Sequence, residues 1–164
     1  MVDWRGLLAW IEASALGNAV RDSGVWTYGV INLFHILGVA TLFGSVLVLD
    51  LRLLGWRRSI ALSNIASATV PLAVIGFCVA VISGVCLLTT NATEYASNPF
   101  LLIKFAAIAL ALVNVIVLSY SPAWKSRSSR QPSSGERTQL ATLGGISLLC
   151  WLTAISAGRM IGYW

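Results

Sequence analysis

One long apolar run constrains this chain more than any other feature of its sequence. Between residues 30 and 49 the strongly polar side chains are Asn32 and His35, and His35 is the chain's one histidine. About 20 apolar residues, at a rise of ~1.5 Å each, match the ~30 Å hydrocarbon core of a bilayer. The run starts near Trp26 and ends in the charged sequence DLRLLG at residues 50–55. It predicts a membrane span with a histidine inside it.

The composition indicates lipid as the solvent for most of the 164 residues, since 57% are hydrophobic and only 10% are charged. Soluble domains carry about a quarter charged residues, so this chain has too few to cover a soluble globule. The three cysteines lie within apolar runs without metal-ligand spacing, and we interpret them as small buried side chains. Apart from a haem iron at His35, discussed below, the sequence predicts no metal site.

The apolar runs predict an all-α fold, an integral membrane four-helix bundle preceded by an amphipathic helix. Residues 1–24 form the interfacial helix, which lies on the periplasmic face of the membrane, and residues 25–164 form the membrane domain. Tyr163 and Trp164 are predicted to anchor the last span at the headgroups. The predicted spans cover about residues 26–49, 68–88, 100–120 and 140–164.

The basic residues predict the orientation of the spans. Seven of the eleven Lys and Arg residues fall in segments 50–60 and 121–139, on one side of the membrane. The positive-inside rule makes that side cytoplasmic and places both termini in the periplasm of a bacterial inner membrane. The net charge of +5 therefore reflects membrane topology, and we expect no nucleic-acid partner.

Four side chains near the periplasmic face are candidates for a tetrapyrrole site. His35, Lys104 and Arg159 lie about 13, 6 and 7 Å inward from that face at the helical rise, and Met160 lies at a similar level. Ionisable groups inside a membrane are costly and usually functional, although Lys104 and Arg159 have stems long enough to reach the headgroups.

Three roles are open to His35. It is a neutral imidazole hydrogen-bonded within the bundle, or an axial ligand of haem b or another tetrapyrrole, or part of a quinone or proton-transfer site. In the haem interpretation, Arg159 and Lys104 pair with propionates, and Met160 is a conceivable second ligand. A single histidine excludes the bis-histidine coordination usual in membrane b cytochromes.

Two stripes of small residues predict close helix packing. Spaced small residues let helices approach each other in lipid, where no hydrophobic drive favours association. The members of the first stripe are Gly76, Ala80 and Gly84, and those of the second are Ala154, Gly158 and Gly162.

Asp50 and Arg52 follow the first span directly. An acidic residue beside a basic one at a span exit is typical of a pair at the headgroups. We therefore expect Asp50 to cap the helix or to pair with Arg52 or another basic side chain.

A further set of residues extends along nearly the whole chain: His35 with Gly38, Asp50–Gly55, Pro71, Gly76–Phe77, Asn98–Phe100 with Lys104, Asn114, Ser147–Leu148 with Trp151, and Gly158–Arg159 with Tyr163. In the order of these residues the chain resembles an uncharacterised family of small bacterial inner-membrane proteins. The resemblance implies four spans and a bacterial source, and it implies no activity.

These observations favour a non-catalytic function. The leading hypothesis is an accessory or anchoring subunit that packs against other membrane subunits, or against itself, through its small-residue stripes. The alternative is a haem-binding electron-transfer subunit that uses His35. A permease is a third hypothesis, which the lack of a polar pathway through the spans disfavours.

Overall fold

The computed structural model describes residues 4–163, so the predicted anchor Trp164 lies outside the described residues. None of the described residues is in a β-strand. The helices are α1 (Trp4–Glu12), α2 (Ala15–Asp22), α3 (Gly24–Leu53), α4 (Leu62–Thr90), α5 (Pro99–Tyr120), α6 (Pro122–Lys125) and α7 (Ser134–Met160), with 3₁₀ turns at Glu94–Ser97 and Ile161–Tyr163.

Four helices are long and apolar enough to cross a membrane: α3, α4, α5, and α7 with the turn that extends it. The prediction of an all-α membrane bundle is therefore confirmed, and the chain is a multi-pass membrane protein. The helices extend beyond the predicted spans because polar residues at their ends continue the helical backbone. α3, for example, has 30 residues and a length of about 45 Å at ~1.5 Å per residue.

Local sequence signals set the ends of these helices. Gly55, at φ +109°, ends α3 in a conformation that favours glycine, and Trp56 N–H returns to the carbonyl of Leu51 at 2.9 Å. The side chain of Asn98 accepts from Phe100 N–H at 3.0 Å and caps α5. Ser133 and Glu136 form a reciprocal capping box at the start of α7.

The spans pack as two antiparallel pairs. α3 packs along α4 and α5 packs along α7, and the contact between α3 and α7 joins the pairs. Within the described chain, α4 and α5 make no extended contact with each other. In the middle of the bundle, Leu42, Ala111 and Trp151 form a buried cluster, and the ring of Phe77 meets Trp151 edge-on at 6.4 Å.

The two ends of the bundle differ in character. We call the end with residues 50–61 and 121–139 the basic end, because it carries seven of the eleven Lys and Arg residues. A second apolar cluster, with Leu53, Leu118 and Leu140 among its members, closes the bundle there. We call the other end, with α1, α2 and residues 91–98, the N-terminal end.

The N-terminal segment forms two short helices rather than one. Ser14 separates them, since its side-chain oxygen accepts from Gly17 N–H at 3.2 Å and caps α2. Gly17 lies so close to the backbone that a β-carbon there would be 2.9 Å from the carbonyl oxygen of Thr89. A side chain at this position would therefore push α2 off the end of α4.

Hydrogen bonds fix this segment to the bundle. The guanidinium of Arg21 donates to the carbonyls of Thr89 and Thr90, at 3.3 and 3.2 Å, and to that of Glu12 at 2.9 Å. The carboxylate of Glu12 accepts from the backbone N–H and the hydroxyl of Thr93, both at 2.7 Å. These two bonds hold the pKa of the Glu12 carboxyl below its usual value.

Candidate functional site

His35 lies half-buried on α3, where it faces α4. Its Nδ1 atom is 3.0 Å from the carbonyl oxygen of Ala80 and 3.1 Å from the hydroxyl oxygen of Ser83. A carbonyl can only accept, so Nδ1 carries the proton, and when the ring is neutral Nε2 is its unprotonated nitrogen. Gly84 makes room for the ring, because a β-carbon at that position would lie 3.0 Å from the His35 Cε1 atom.

The structure brings Lys104 toward His35 but not into contact with it. The lysine is partly buried on α5 and lies within electrostatic range of the imidazole. Its stem runs over Gly158 of α7, where a β-carbon would be 3.7 Å from Cδ, Cε and Nζ. Lys104 therefore uses the space that a glycine leaves between α5 and α7.

Arg159 and Met160 do not join this pair. Arg159 is exposed, donates a hydrogen bond to the hydroxyl of Tyr163, and lies over the ring of that tyrosine at 4.7 Å. The side chain of Met160 is 42% exposed at the end of α7. Of the four residues predicted for a tetrapyrrole site, the structure places His35 and Lys104 in one region and turns the other two to the surface.

The first small-residue stripe lies in the contact between α3 and α4. A β-carbon at Gly76 would be 2.5 Å from the backbone nitrogen of Leu42, Ala80 is buried, and Gly84 faces His35. In the second stripe Ala154 is buried and Gly158 lies under Lys104, whereas Gly162 has nothing within 4 Å of a β-carbon. Most of these positions are thus occupied by contacts within the chain.

The expectation for Asp50 is wrong. Its side chain is enclosed by the bundle, because the residue is only 2% exposed. Arg52 does not pair with it, and donates instead through Nε to the carbonyl of Ile60 at 2.9 Å. The reason is helical geometry. Asp50 shares the inward face of α3 with Leu42 and Leu53, whereas Arg52 points toward the loop that follows.

Asp50 belongs to a buried polar group that sequence reasoning did not identify. The hydroxyl of Ser147 hydrogen-bonds to its carboxyl group, and its Oδ2 atom has no partner among the described residues. Trp151, one turn after Ser147 on α7, has a buried Nε1 that also lacks a partner within residues 4–163. On the facing helix α5, Asn114 donates to the carbonyl of Leu143 at 3.0 Å. The available signal was the spacing of Ser147 and Trp151, which puts both on one helical face.

No three His, Cys, Asp or Glu side chains meet in a metal-binding arrangement within the described chain. Two surface pockets lie at the ends of the bundle, and neither is lined by His35. Comparison with models of protein families, with curated proteins and with solved structures finds no match.

Proposed function

We propose that this chain is a small accessory or anchoring subunit of a bacterial inner-membrane complex, with both termini in the periplasm. The seven basic residues of the basic end support that orientation, since cytoplasmic loops carry the excess of Lys and Arg. In this proposal the chain belongs with the small four-span proteins that it resembles. Its role is to hold a partner in the membrane by helix packing rather than to catalyse a reaction.

The observation that carries the proposal is the outer face of α3. We define this face by Trp26, Gly29, Leu33, Ala40 and Gly44, which are all exposed. They lie on the side of the helix opposite the buried Leu42, Ser45 and Leu53. A β-carbon at Gly29 or at Gly44 would have nothing within 4 Å.

Glycines elsewhere in the bundle show how a neighbouring helix packs against such positions. At Gly38 a β-carbon would be 2.7 Å from the backbone nitrogen of Ala80, and at Gly144 it would be 2.9 Å from Leu53 Cβ. These glycines permit close approach of a neighbouring helix. Ala40 and Gly44 are four residues apart, as in a small-xxx-small motif, and no helix within residues 4–163 covers them. A partner helix fits that vacant stripe better than lipid chains, which gain nothing from close backbone approach.

The test is to measure the mass of the complex extracted in native nanodiscs directly from the cell membrane. We expect the mass of the wild-type complex to include a partner protein. The A40L/G44L variant should be extracted without that partner, because two leucines block the approach of a helix. The matched control is A106L/A109L, which adds the same bulk to an exposed face of α5. A wild-type chain that runs alone, or a control that loses its partner equally, would contradict the proposal.

One observation favours haem binding as a second candidate. Histidines that ligate a metal usually donate their other ring N–H to a carbonyl or carboxylate, as His35 Nδ1 does to Ala80. The fit is partial: Nε2 is available as one axial ligand and Lys104 stands near for a propionate, but Met160 supplies no second ligand. A bound haem would supply electron transfer. The test is an absorption spectrum of the purified protein, oxidised and then reduced with dithionite. A Soret band that shifts on reduction is the expected result for haem, and a flat visible spectrum would eliminate this candidate.

A further inference from the structure

A pocket of about 230 Å³ opens at the basic end, between α3, the loop that follows it, and the start of α7. Three arginines line it, one from each of these segments: Arg52, Arg58 and Arg137. Its apolar wall is formed by Leu53, Leu62 and Leu140. The volume is below the ~300–1,000 Å³ typical of sites for drug-sized ligands, so the pocket suits a small anionic group rather than a large organic molecule.

The arginines of this pocket have no acidic partner among the described residues. Asp50 lies inside the bundle, hydrogen-bonded to Ser147. Glu136 is engaged elsewhere, since Arg130 binds both of its carboxylate oxygens at 2.6 and 2.7 Å. The positive charge of the pocket is therefore uncompensated by the carboxylates of residues 4–163.

Backbone contacts hold the guanidinium groups in place instead. Arg137 donates through Nε to the carbonyl of Pro132 at 2.9 Å, as Arg52 does to that of Ile60. The Arg58 guanidinium lies against Gly55, where a β-carbon would be 2.5 Å from Nη2. Arg58 also repels Arg52 electrostatically, and a bound anion between them would relieve that repulsion.

A helix terminus adds to the attraction for an anion. α4 begins at Leu62, one of the residues that line the pocket, and Ala61 before it provides no side-chain cap. The first N–H groups of a helix point outward and carry a partial positive charge. An anion in the pocket would thus meet both guanidinium donors and the positive end of α4.

We propose that this pocket binds a phosphate group, either in the headgroup of an anionic phospholipid or free in solution. Arginine forks match the geometry of phosphate oxygens, and the apolar wall provides a surface for the first atoms of a lipid chain. Basic pockets between membrane helices are the usual place where anionic headgroups bind. This proposal is independent of the partner proposed for the outer face of α3.

The test uses the full chain in zwitterionic phosphatidylcholine nanodiscs at constant ionic strength, with the thermal unfolding midpoint as the readout. One arm replaces part of the lipid with phosphatidylglycerol, and the other adds inorganic phosphate to the buffer. The pocket variant is R58Q/R137Q, and both of its positions are exposed. The control is R57Q/K125Q, which removes the same charge from residues that lie over Trp56 and Tyr120, outside the pocket.

We expect the wild type and the control to be stabilised at the same anion concentration. The pocket variant should need on the order of 30-fold more, since each of its two lost basic contacts contributes about 1 kcal/mol. Stabilisation by phosphatidylglycerol alone identifies a lipid headgroup, and stabilisation by inorganic phosphate identifies a soluble ligand. The proposal is overturned if neither anion stabilises the wild type. It is also overturned if the control loses as much as the pocket variant, because the attraction would then be general to the basic end.

Discussion

The carboxyl group of Asp50 on α3 hydrogen-bonds to Ser147 on α7, and both residues are almost completely buried. No basic side chain within residues 4–163 forms an ion pair with Asp50. A buried charge without a counter-charge costs several kcal/mol, so this position tolerates a carboxyl group only if its charge is compensated or absent. The contact joins α3 of one helix pair to α7 of the other pair.

The first prediction concerns the charge of Asp50. Asparagine keeps the shape and the hydrogen bond to Ser147 without any charge. We expect the free energy of unfolding of D50N to lie within about 1 kcal/mol of the wild-type value. That of D50A should be lower by ~1–3 kcal/mol, because this variant leaves the Ser147 hydroxyl without its partner. The measurement is the free energy of unfolding in mixed detergent micelles. If D50N were as unstable as D50A, the ionised carboxylate itself would be required.

The second prediction concerns the glycines between α3 and α4. A β-carbon at Gly76 would be 2.8 Å from the carbonyl oxygen of Gly38, and the backbone cannot yield cheaply. We expect G76A to destabilise the bundle by ~1–3 kcal/mol, the usual cost of overpacking. G44A is the matched control on the open side of the same pair of helices. G44A should change the free energy of unfolding by no more than about 1 kcal/mol, and the change should be stabilising because alanine has a higher helix propensity than glycine.

Measuring both glycine variants in one detergent separates packing from propensity. Equal destabilisation by G76A and G44A would mean that the open face of α3 is not open in the folded protein. Equal stability of both variants would mean that α3 and α4 are not in close contact at Gly76.

The third prediction concerns pH and the N-terminal segment. The folded-state pKa of Glu12 is lowered from the ordinary value of 4.5 by the hydrogen bonds from Thr93. Its contribution to stability is therefore complete above pH 4.5, and it is lost as the pH falls through the lowered pKa. Above pH 4.5 we expect residues 4–22 of the wild type to exchange amide hydrogens more slowly than those of the E12Q variant at the same pH, and we expect this difference to disappear as the pH falls below that range. E12Q has no carboxyl group to titrate, so an identical pH dependence in both proteins would refute this role for Glu12.

The sequence predicts the helices well and the side-chain partners poorly, and Asp50 shows why. Hydrophobicity and length determine which segments cross the membrane, because every backbone polar group in lipid must be satisfied within a helix. Depth along a helix also follows from residue number, and it predicts that His35 and Lys104 lie at the same end of the bundle. The partner that a side chain meets depends on which helix is its neighbour. The residue pattern of α3 does not predict that this helix packs against both α4 and α7. Ser147, on a distant segment, therefore could not be identified as the partner of Asp50.

The N-terminal segment shows the same limit on a smaller scale. Its amphipathic pattern predicts a helix at the membrane surface, and this pattern does not reveal the break at Ser14. Arg21 and Glu12 also fix the two short helices to the end of α4 and the loop after it, through contacts that join residues far apart in sequence. The basic pocket likewise depends on three arginines from separate segments. The positive-inside rule uses the number of basic residues in each loop and does not predict which of them lie close together.

The most direct test of the proposed function is site-specific photocrosslinking in living bacterial cells. A photoreactive amino acid at position 44 reports whether a protein lies against the outer face of α3, and the same residue at position 109 reports the lipid-facing side of α5. We predict one discrete heavier adduct from position 44 and none from position 109. No adduct from position 44, or the same adducts from both positions, would contradict the account of this chain as a subunit that docks through α3.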